Sequence, residues 1–270
     1  MYIDVNKPID SSLRQEIDRR LNLIEETYSV KIIYACESGS RSWGFSSPDS
    51  DYDIRFLYVR PKEWYLSIFE ERDVIEPGIE EDNVVYDPSG WDIKKAFGLM
   101  RGCNGTLIEW LNAPIVYRSS EAINHIIDLQ HDVYLPRNAV YHYTAMARRL
   151  LKDIAEKEET NLKRYFYILR ATLCALFITE KKEAPPVLFH ELFNQYLSGK
   201  DIGDHVERLL ELKSERNEKE GIDRQSELED YIHATLTHIN ATLPETVDKA
   251  DKHCFDQAFI KTLEEVQQTQ

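Results

Sequence analysis

The chain has 270 residues, 42% of them hydrophobic and 30% charged, with a formal net charge of −15 at pH 7. This is the composition of an ordinary soluble globular protein, with one large domain or two modest ones that can each bury a core. The acidic balance argues against a broad, non-specific grip on nucleic acid, because such binding depends on neutralising phosphates. No stretch reaches the about 18 uninterrupted apolar residues of a membrane helix, so no membrane partner is expected.

The N-terminus and the cysteines bear on the compartment. The segment Met1–Pro8 has neither the basic nor the apolar region of a secretory signal, so none is expected. The four cysteines lie far apart and form no CxxC pair: they are Cys36, Cys103, Cys174 and Cys254. We therefore predict reduced thiols in a cytoplasmic protein rather than a disulfide framework or a zinc site.

The negative charge is unevenly distributed. Residues 200–270 contain 17 acidic and 9 basic side chains, whereas residues 137–170 contain 8 basic and 4 acidic ones. A local basic strip on an acidic protein is compatible with binding of a triphosphate or of one nucleic-acid end. The global charge does not decide between the two.

Helical and strand patterns alternate in the first half of the chain. Apolar residues at helical spacing predict a helix from Ser12 to Tyr28, with a capping box at its start. Short apolar runs and turn residues predict the elements that follow. These are strands over 31–36, 51–59, 73–76 and 83–87, a loop over 38–50, and helices over 63–68, from 90 and from 106.

Beyond Tyr117 the pattern becomes helical. No strand-like run of any length follows, whereas segments with a 3.6-residue period do. They span 121–129, 136–157, 160–181, 187–197, 204–218, 225–243 and 253–267. We predict an α/β (α+β) domain with a mixed sheet over residues 1–118, followed by an all-helical domain over residues 119–270 that closes a cleft against it.

The most informative motif connects the first two predicted strands. Gly39-Ser40 follows the first strand, and Asp51-Tyr52-Asp53 opens the second. Residues two apart in a strand face the same side, so the two aspartates would present adjacent carboxylates. Two such anions need a cation between them, and oxygen ligands with room left for phosphate suit Mg²⁺ or Mn²⁺. Two metal ions could activate an attacking hydroxyl and neutralise a leaving pyrophosphate.

Gly39 and Ser40 fit the binding of a phosphate. Glycine lets the backbone approach an anion closely, and Ser40 adds a hydroxyl and an N–H at a predicted helix start. Taken singly, an Asp-x-Asp at a strand start is most often a surface turn, and Gly-Ser is a weaker signal still. Their combination between two apolar strands is a much more specific signal than either part.

The combined pattern resembles the signature of the DNA polymerase β-like nucleotidyltransferases. The stretch from Gly39 to Pro61 resembles more closely the predicted bacterial and phage nucleotidyltransferases associated with RNA repair (RlaP-like). Other stretches are similar to that family as well: residues 90–96, residues 107–117, and residues 163–171 with the later Pro185-Pro186. The resemblance implies a metal-dependent nucleotidyltransferase fold and activity for this chain.

The resemblance also implies a third carboxylate on a neighbouring strand. Asp87 ends the predicted strand 83–87 and is the first choice. Asp92, in the first turn of the next predicted helix, is the second, although the helix dipole alone would favour an acid there. The third carboxylate would accept the proton of the attacking hydroxyl or complete the coordination of a second metal ion.

Two arginines and two aromatic residues flank the acidic pair. Arg41 follows Gly39-Ser40 and could reach a phosphate of the nucleotide. Arg55 shares the strand face of the aspartates, so an ion pair with one of them is at least as well supported as a contact with substrate. Trp43 and Phe45 fit core packing beneath the loop better than base stacking.

A second basic group lies on the predicted helix 160–181. Lys163, Tyr167 and Arg170 are spaced i, i+4 and i+7 and share one face. That stripe would suit the β- and γ-phosphates and the base of a nucleoside triphosphate, or it could be the face of an amphipathic helix with inward tyrosines. Tyr143 and Arg148 on the preceding helix are weaker candidates.

The predicted reaction moves a nucleoside monophosphate from a nucleoside triphosphate to a hydroxyl and releases pyrophosphate. The acceptor stays open: the resemblance implies an RNA end, and the acidic charge fits a protein or a small molecule equally well. The alternative is a protein that binds nucleotide or RNA without turnover, which the joint presence of Gly39, Ser40, Asp51 and Asp53 disfavours. The helices of residues 200–270 could pack on the domain or on a second copy of the chain.

Overall fold

The computed structural model describes residues 9–81, 84–156, 159–215 and 220–268. The helices are α1 (Ser11–Tyr28), α2 (Gly39–Ser42), α3 (Lys62–Tyr65), α4 (Ile93–Arg101), α5 (Gly105–Leu111), α6 (Asn124–Ile127), α7 (Leu129–Asp132), α8 (Pro136–Ala155), α9 (Leu162–Lys181), α10 (Phe189–Tyr196), α11 (Asp201–Glu215), α12 (Ser226–Ala241) and α13 (Lys252–Gln268), with a 3₁₀ turn at Glu121–Ile123. The strands are β1 (Lys31–Glu37), β2 (Ile54–Val59), β3 (Val74–Ile75), β4 (Glu80–Glu81), β5 (Val85–Tyr86), β6 (Ser89–Asp92), β7 (Val116–Ser119), β8 (Thr160–Asn161) and β9 (Gly221–Ile222).

Five strands form the central sheet, in the order β3-β6-β2-β1-β7. Strands β2 and β6 are parallel, and the other neighbours are antiparallel, so the sheet is mixed as predicted. In the parallel pair Arg55 is opposite Ser89, and Tyr58 is opposite Asp92. The residues just before β2 and just before β6 therefore lie side by side at one edge of the sheet.

Each face of the sheet is covered by helices. Helix α1 covers one face with Ile17, Leu21 and Ile24, which recur at helical spacing and are buried. Helices α4, α5 and α13 cover the other face, where Phe97 and Phe255 belong to one apolar cluster. The sheet thus lies between two helical layers, and polar functional groups are expected at the ends of its strands rather than on its faces.

A third apolar cluster fills the helical part of the chain. Helices α8 and α9 form its centre, and α10, α11 and α12 pack around them. Trp43 and Phe45, which belong to the loop after β1, are buried in this same cluster. The loop that carries Gly39 is therefore fixed from both sides, and the two aromatic residues serve as core, as their sequence context favoured.

The structure departs from the sequence prediction at several strands. Strands β7, β8 and β9 form at and beyond residue 116, where no strand was predicted, because their backbones pair with segments distant in the chain. Two strand boundaries near the site also differ. Strand β2 begins at Ile54 rather than Asp51, because Tyr52 pairs with Tyr86 in a separate bridge. Residues 89–92 form strand β6 before helix α4 begins at Ile93, whereas the prediction started that helix at Gly90. Gly90 is required in this strand because a Cβ atom there would lie 2.0 Å from the ring of Phe56. The start of the predicted strand 83–87 and the ends of helices 136–157 and 204–218 lie outside the described residues.

The apolar cores cross the predicted domain boundary at residue 118. Ala122, Ile123 and Ile126 belong to the cluster on the sheet, and helix α13 returns to pack on α4. The end of the helical region thus packs on the α/β part of the same chain. The division at residue 118 stays a prediction. Within the described ranges, the helices are all too short or too polar to span a membrane.

Candidate active site

The segment before β2 carries Asp53 to the edge of the sheet. Its backbone is held from β1, because the N–H of Asp53 donates to Oε1 of Glu37 at 3.0 Å and its carbonyl accepts from Ser38 at 2.9 Å. Glu37 is fully buried and is also bonded by the Tyr117 hydroxyl. Burial raises the pKa of Glu37 to about 8, so this carboxyl is a structural support behind the site.

Asp53 and Asp87 converge on one cation. The guanidinium of Arg55 donates to Oδ1 of Asp53 at 2.7 Å and to Oδ2 of Asp87 at 2.8 Å. The N–H of Ile54 donates to the carbonyl of Asp87 at 3.1 Å, which fixes the two aspartates side by side. The ion pair that was one of the two roles left open for Arg55 is present, and it includes Asp87 as well.

Burial and neighbouring charges both shift the pKa of Asp53. Burial raises the pKa of the Asp53 carboxyl to about 6, and Arg55 opposes that rise. The negative charges of Asp87 and Asp51 add to the rise, and the positive charge of Lys163 also opposes it. Both predicted acidic neighbours and the predicted lysine therefore act on Asp53 electrostatically.

The donor set fits a divalent cation. Two carboxylates already share one positive group in a half-buried position, and carboxylate oxygens are the ligands that Mg²⁺ and Mn²⁺ prefer. Across the described residues, no three acidic, histidine or cysteine side chains are grouped tightly enough to form a metal site. A metal ion bound by Asp53 and Asp87 would take the place between them that Arg55 now occupies.

The backbone conformation of Gly39 and the atoms around it leave no room for a side chain. Its φ angle is +63°, and a Cβ atom built on it would lie 2.2 Å from Oδ2 of Asp53. The same position is 3.6 Å from the hydroxyl of Tyr167. The backbone at Gly39 thus lies directly between the carboxylate and the helix α9 side of the pocket.

We expect Gly39→Ala to impair nucleotide binding and activity at least tenfold. The substitution adds left-handed backbone strain of about 1–3 kcal/mol and a clash with Asp53. Gly199→Ala is the matched control, because Gly199 has a φ angle of +73° with open space around it. Titration of a nucleotide analogue into both variants measures the effect; equal affinities would contradict this assignment.

Ser40 and Arg41 stabilise the loop before Asp51. The hydroxyl oxygens of Ser40 and Ser50 are 3.3 Å apart. Arg41 donates to the carbonyls of Ser50 at 2.6 Å and of Asp51 at 3.3 Å, and its guanidinium lies 3.9 Å from the centre of the Tyr52 ring. In this arrangement the guanidinium of Arg41 holds the backbone of the acidic segment, so the predicted phosphate contact would require it to turn.

A pocket of about 390 Å³ separates the edge of the sheet from helices α8 and α9. Asp53, Gly39 and Arg55 line one wall, and Tyr167 and Arg149 line the other. Lys163 lies one turn before Tyr167, and its charge acts on Asp53. Of the three residues predicted to share a face of α9, Lys163 and Tyr167 are therefore on the side of the aspartates.

Arg170 forms a buried ion pair instead of a free phosphate contact. It donates to Oε1 of Glu109 at 2.7 Å and to the carbonyl of Val187 at 3.0 Å. Glu109 also accepts from Tyr143 at 2.7 Å and from the indole N–H of Trp43 at 3.1 Å. The Arg170 side chain borders the pocket but is only 3% exposed, so it fixes the wall on which Tyr167 is carried.

Arg149 is a pocket residue that the sequence reasoning missed. It is exposed, it lines the pocket, and the described part of the chain shows no hydrogen bond or ion pair for it. Its neighbour Arg148, the weaker candidate from the sequence, turns the other way and donates to Asn240 at 2.7 Å. Tyr143 is buried. The three residues face different surroundings because of how α8 is rotated about its axis relative to the pocket. The helical period of the sequence does not fix that rotation.

Lys213 is a second residue near the site that no sequence motif indicated. Its side chain is buried at the end of α11, and Nζ donates to the Ser47 hydroxyl at 2.6 Å. The N–H of Ser47 in turn donates to the Ser50 hydroxyl at 2.9 Å. The helical region thus holds the loop between Gly39 and Asp53 through a buried cation.

Asp92 lies away from the carboxylate pair. It is at the opposite end of β6, where it caps helix α4 by accepting from the N–H of Lys94 at 2.8 Å. It also accepts from the hydroxyl of Tyr65 at 3.0 Å and is fully buried. Of the two candidates for the third carboxylate, the geometry favours Asp87.

We expect Asp92→Asn to remove a pH-dependent loss of stability. Burial raises the pKa of Asp92 to about 6, above the 3.8 of an unperturbed carboxyl. The folded state therefore binds the proton more tightly, and stability falls as the pH rises through this interval. The wild type should lose up to roughly 3 kcal/mol relative to the variant between pH 4 and pH 7. Urea unfolding at several pH values measures this, with the exposed Asp248→Asn as control; parallel curves would contradict it.

The family comparison places this chain among the nucleotidyltransferase-like proteins. The RNA repair pathway DNA polymerase beta family (RlaP) matches residues 13–261, and the chain belongs to that family. It is 38% identical over 259 residues to the uncharacterized protein YcgL of Bacillus subtilis strain 168. That alignment covers 94% of this chain and 98% of YcgL. A solved nucleotidyltransferase-like protein from Exiguobacterium sibiricum 255-15 aligns over 94% of this chain and 80% of its own, with 14% identity and a TM-score of 0.30.

Proposed function

We propose that this protein transfers a nucleoside monophosphate from a nucleoside triphosphate to a hydroxyl group and releases pyrophosphate. The observation that carries the proposal is the convergence of Asp53 and Asp87 on one cation beside Gly39. A cation held by two carboxylates, next to a backbone that leaves no room for a side chain, is an arrangement suited to a triphosphate. The adjacent pocket has space for the nucleoside.

Asp51, Asp53 and Asp87 would hold Mg²⁺ or Mn²⁺, with two ions in the complete site. When bound, the ions neutralise charge on the triphosphate and on the leaving pyrophosphate. Arg55 holds the carboxylates in register and would move toward the substrate when they are engaged. This exchange keeps Asp53 and Asp87 paired with positive charge throughout.

The side chains around the pocket have separate tasks in the proposed reaction. Gly39 and Ser40 cradle the phosphates, and Lys163 and Arg149 bind them from the helical wall. Tyr167 positions the nucleoside. The acceptor oxygen forms a bond to the α-phosphorus, and the bond from that phosphorus to pyrophosphate breaks. Asp87, the most exposed of the paired carboxylates, takes the proton of the attacking hydroxyl.

An RNA end is the acceptor that we favour. The description of the family names an RNA repair pathway. Arg149 lines the helical wall of the pocket and the charge of Lys163 acts on Asp53, on a chain that is otherwise acidic. A protein side chain or a small molecule is the competing acceptor, and the same experiment distinguishes them.

The experiment is transfer of label from α-labelled ATP, GTP, CTP and UTP, with Mg²⁺ or Mn²⁺, to a panel of RNA ends and to proteins of a lysate. The Asp51→Ala/Asp53→Ala double variant runs beside the wild type. We expect label on RNA with the wild type alone. Label on protein instead would change the acceptor. If the wild type shows no transfer and no metal-dependent nucleotide binding, the proposed function is rejected, and RNA binding without turnover is the alternative that remains.

A further inference from the structure

A second depression lies on the opposite flank of helix α8 from the active-site pocket. It has a volume of about 350 Å³ and is formed between α8 and α12. Its polar lining consists mainly of side chains that can donate hydrogen bonds: Arg148, Lys152, Arg224, His233, Thr237 and Asn240. One carboxylate, Glu229, also borders it.

The charges of this groove leave it positive. Glu229 is paired with Arg224 through two hydrogen bonds, which lower the pKa of Glu229, so its negative charge is compensated within the groove. Arg148 and Lys152 then remain as a net positive pair on a protein whose total charge is −15. Lys152 has one weak ion pair, at 4.0 Å with Glu156, and both of these side chains are mostly exposed. An anion is the ligand that this lining suits.

The groove is positioned to extend the active site. Arg148 and Lys152 line the groove, whereas the exposed Arg149, the next residue after Arg148 on α8, lines the active-site pocket. The two depressions are therefore separated by one helix, which is about 10 Å wide. A single strand with stacked bases covers that distance in about three nucleotides, at 3.4 Å for each.

We propose that the groove between α8 and α12 binds backbone phosphates of the acceptor RNA about three nucleotides from its reacting end. Arg149 would lie on the path of the strand across α8. Guanidinium and ammonium groups along a groove are the usual means of tracking a nucleic-acid backbone without reading its sequence. A polypeptide acceptor fits less well, because most of the polar lining donates and the single carboxylate is already paired. The inference rests on the proposed transferase function and specifies its acceptor site.

The test is the Arg148→Gln/Lys152→Gln double variant, with Lys181→Gln/Lys182→Gln as the matched control. The control removes the same two charges from the exposed far end of α9. Binding of a fluorescent single-stranded RNA with a free 3′-hydroxyl is measured by anisotropy at several salt concentrations. We expect affinity to fall about tenfold at low salt, and the slope of log K against log salt to decrease by about 1.4, for two lost phosphate contacts. The control should match the wild type.

Nucleotide binding separates this inference from the proposed function. A fluorescent ATP analogue with Mg²⁺ should bind the wild type and both double variants equally, since the altered side chains lie outside the active-site pocket. Equal RNA affinity in all three proteins, an equal loss in both double variants, or no RNA binding by the wild type would each overturn the groove assignment. If nucleotide binding persists in those cases, the transferase proposal stands with another acceptor; its absence in the wild type would reject that proposal directly.

Discussion

Replacement of Asp53 by Asn should lower the rate of nucleotidyl transfer by about three orders of magnitude. The amide keeps the size of the side chain but removes the negative charge that Arg55 now neutralises and that a divalent cation would use. Loss of metal-assisted charge stabilisation costs several kcal/mol in the transition state, and each 1.36 kcal/mol is a tenfold change in rate. The rate is measured at saturating nucleotide and acceptor with each metal ion.

Two further aspartates provide the comparison for Asp53. Asp87→Asn should also abolish transfer while nucleotide binding stays largely intact, because Asp87 is more exposed and is assigned to the proton of the acceptor. Asp92→Asn should retain full transfer, since Asp92 caps α4 at the far end of β6. Full activity of the Asp87 variant would contradict the role assigned to Asp87, and full activity of Asp53→Asn would remove the basis of the mechanism.

Replacement of Glu109 by Gln should destabilise the fold by about 3–5 kcal/mol. Arg170 is only 3% exposed, and Glu109 is the carboxylate that compensates its charge. A buried charge that loses its partner costs this much because neither water nor another anion replaces the lost interaction. The free energy of unfolding is obtained from urea denaturation, and activity should fall with stability because the pair supports the wall that carries Tyr167.

The exposed pair of Arg72 and Glu76 is the control for this prediction. Its side chains are 70% and 56% exposed, and such pairs contribute about 0–1 kcal/mol. Glu76→Gln should therefore have almost no effect on unfolding. Arg170→Met in the Glu109→Gln background should recover part of the stability, because the unpaired charge is then absent. If Glu109→Gln unfolds like the wild type, Arg170 has another compensating partner.

Most elements of the fold follow from local sequence patterns. The helical segments beyond residue 118 were found within a few residues, because apolar residues at a 3.6-residue period are unambiguous over long stretches. Strand β6 was missed, since Ser89–Asp92 has neither alternation nor β-branched residues. It is a strand because its backbone pairs with β2 and β3, an interaction between segments distant in the chain.

The sequence by itself indicated the class of protein to which the chain belongs. Gly39-Ser40 and Asp51-x-Asp53 are close along the chain, so their spacing is visible without a structure, and the family comparison supports the class they indicate. Asp87 lies near Asp53 because it comes just before β6 and Asp53 just before β2, whereas Asp92 is at the far end of β6; this placement depends on the parallel register of β2 and β6. That register is a pairing of distant segments, which no local pattern encodes.

Only the tertiary structure decided which basic side chains face the pocket. Tyr167 lines the pocket and the charge of Lys163 acts on Asp53, but Arg170 has its donors bound by Glu109 and Val187. Arg149 and Lys213 have no motif, because their positions follow from how α8 rotates against α9 and where α11 ends against the loop. A local pattern specifies residue types and helix faces; the partner of each side chain is fixed by packing between elements far apart in the sequence.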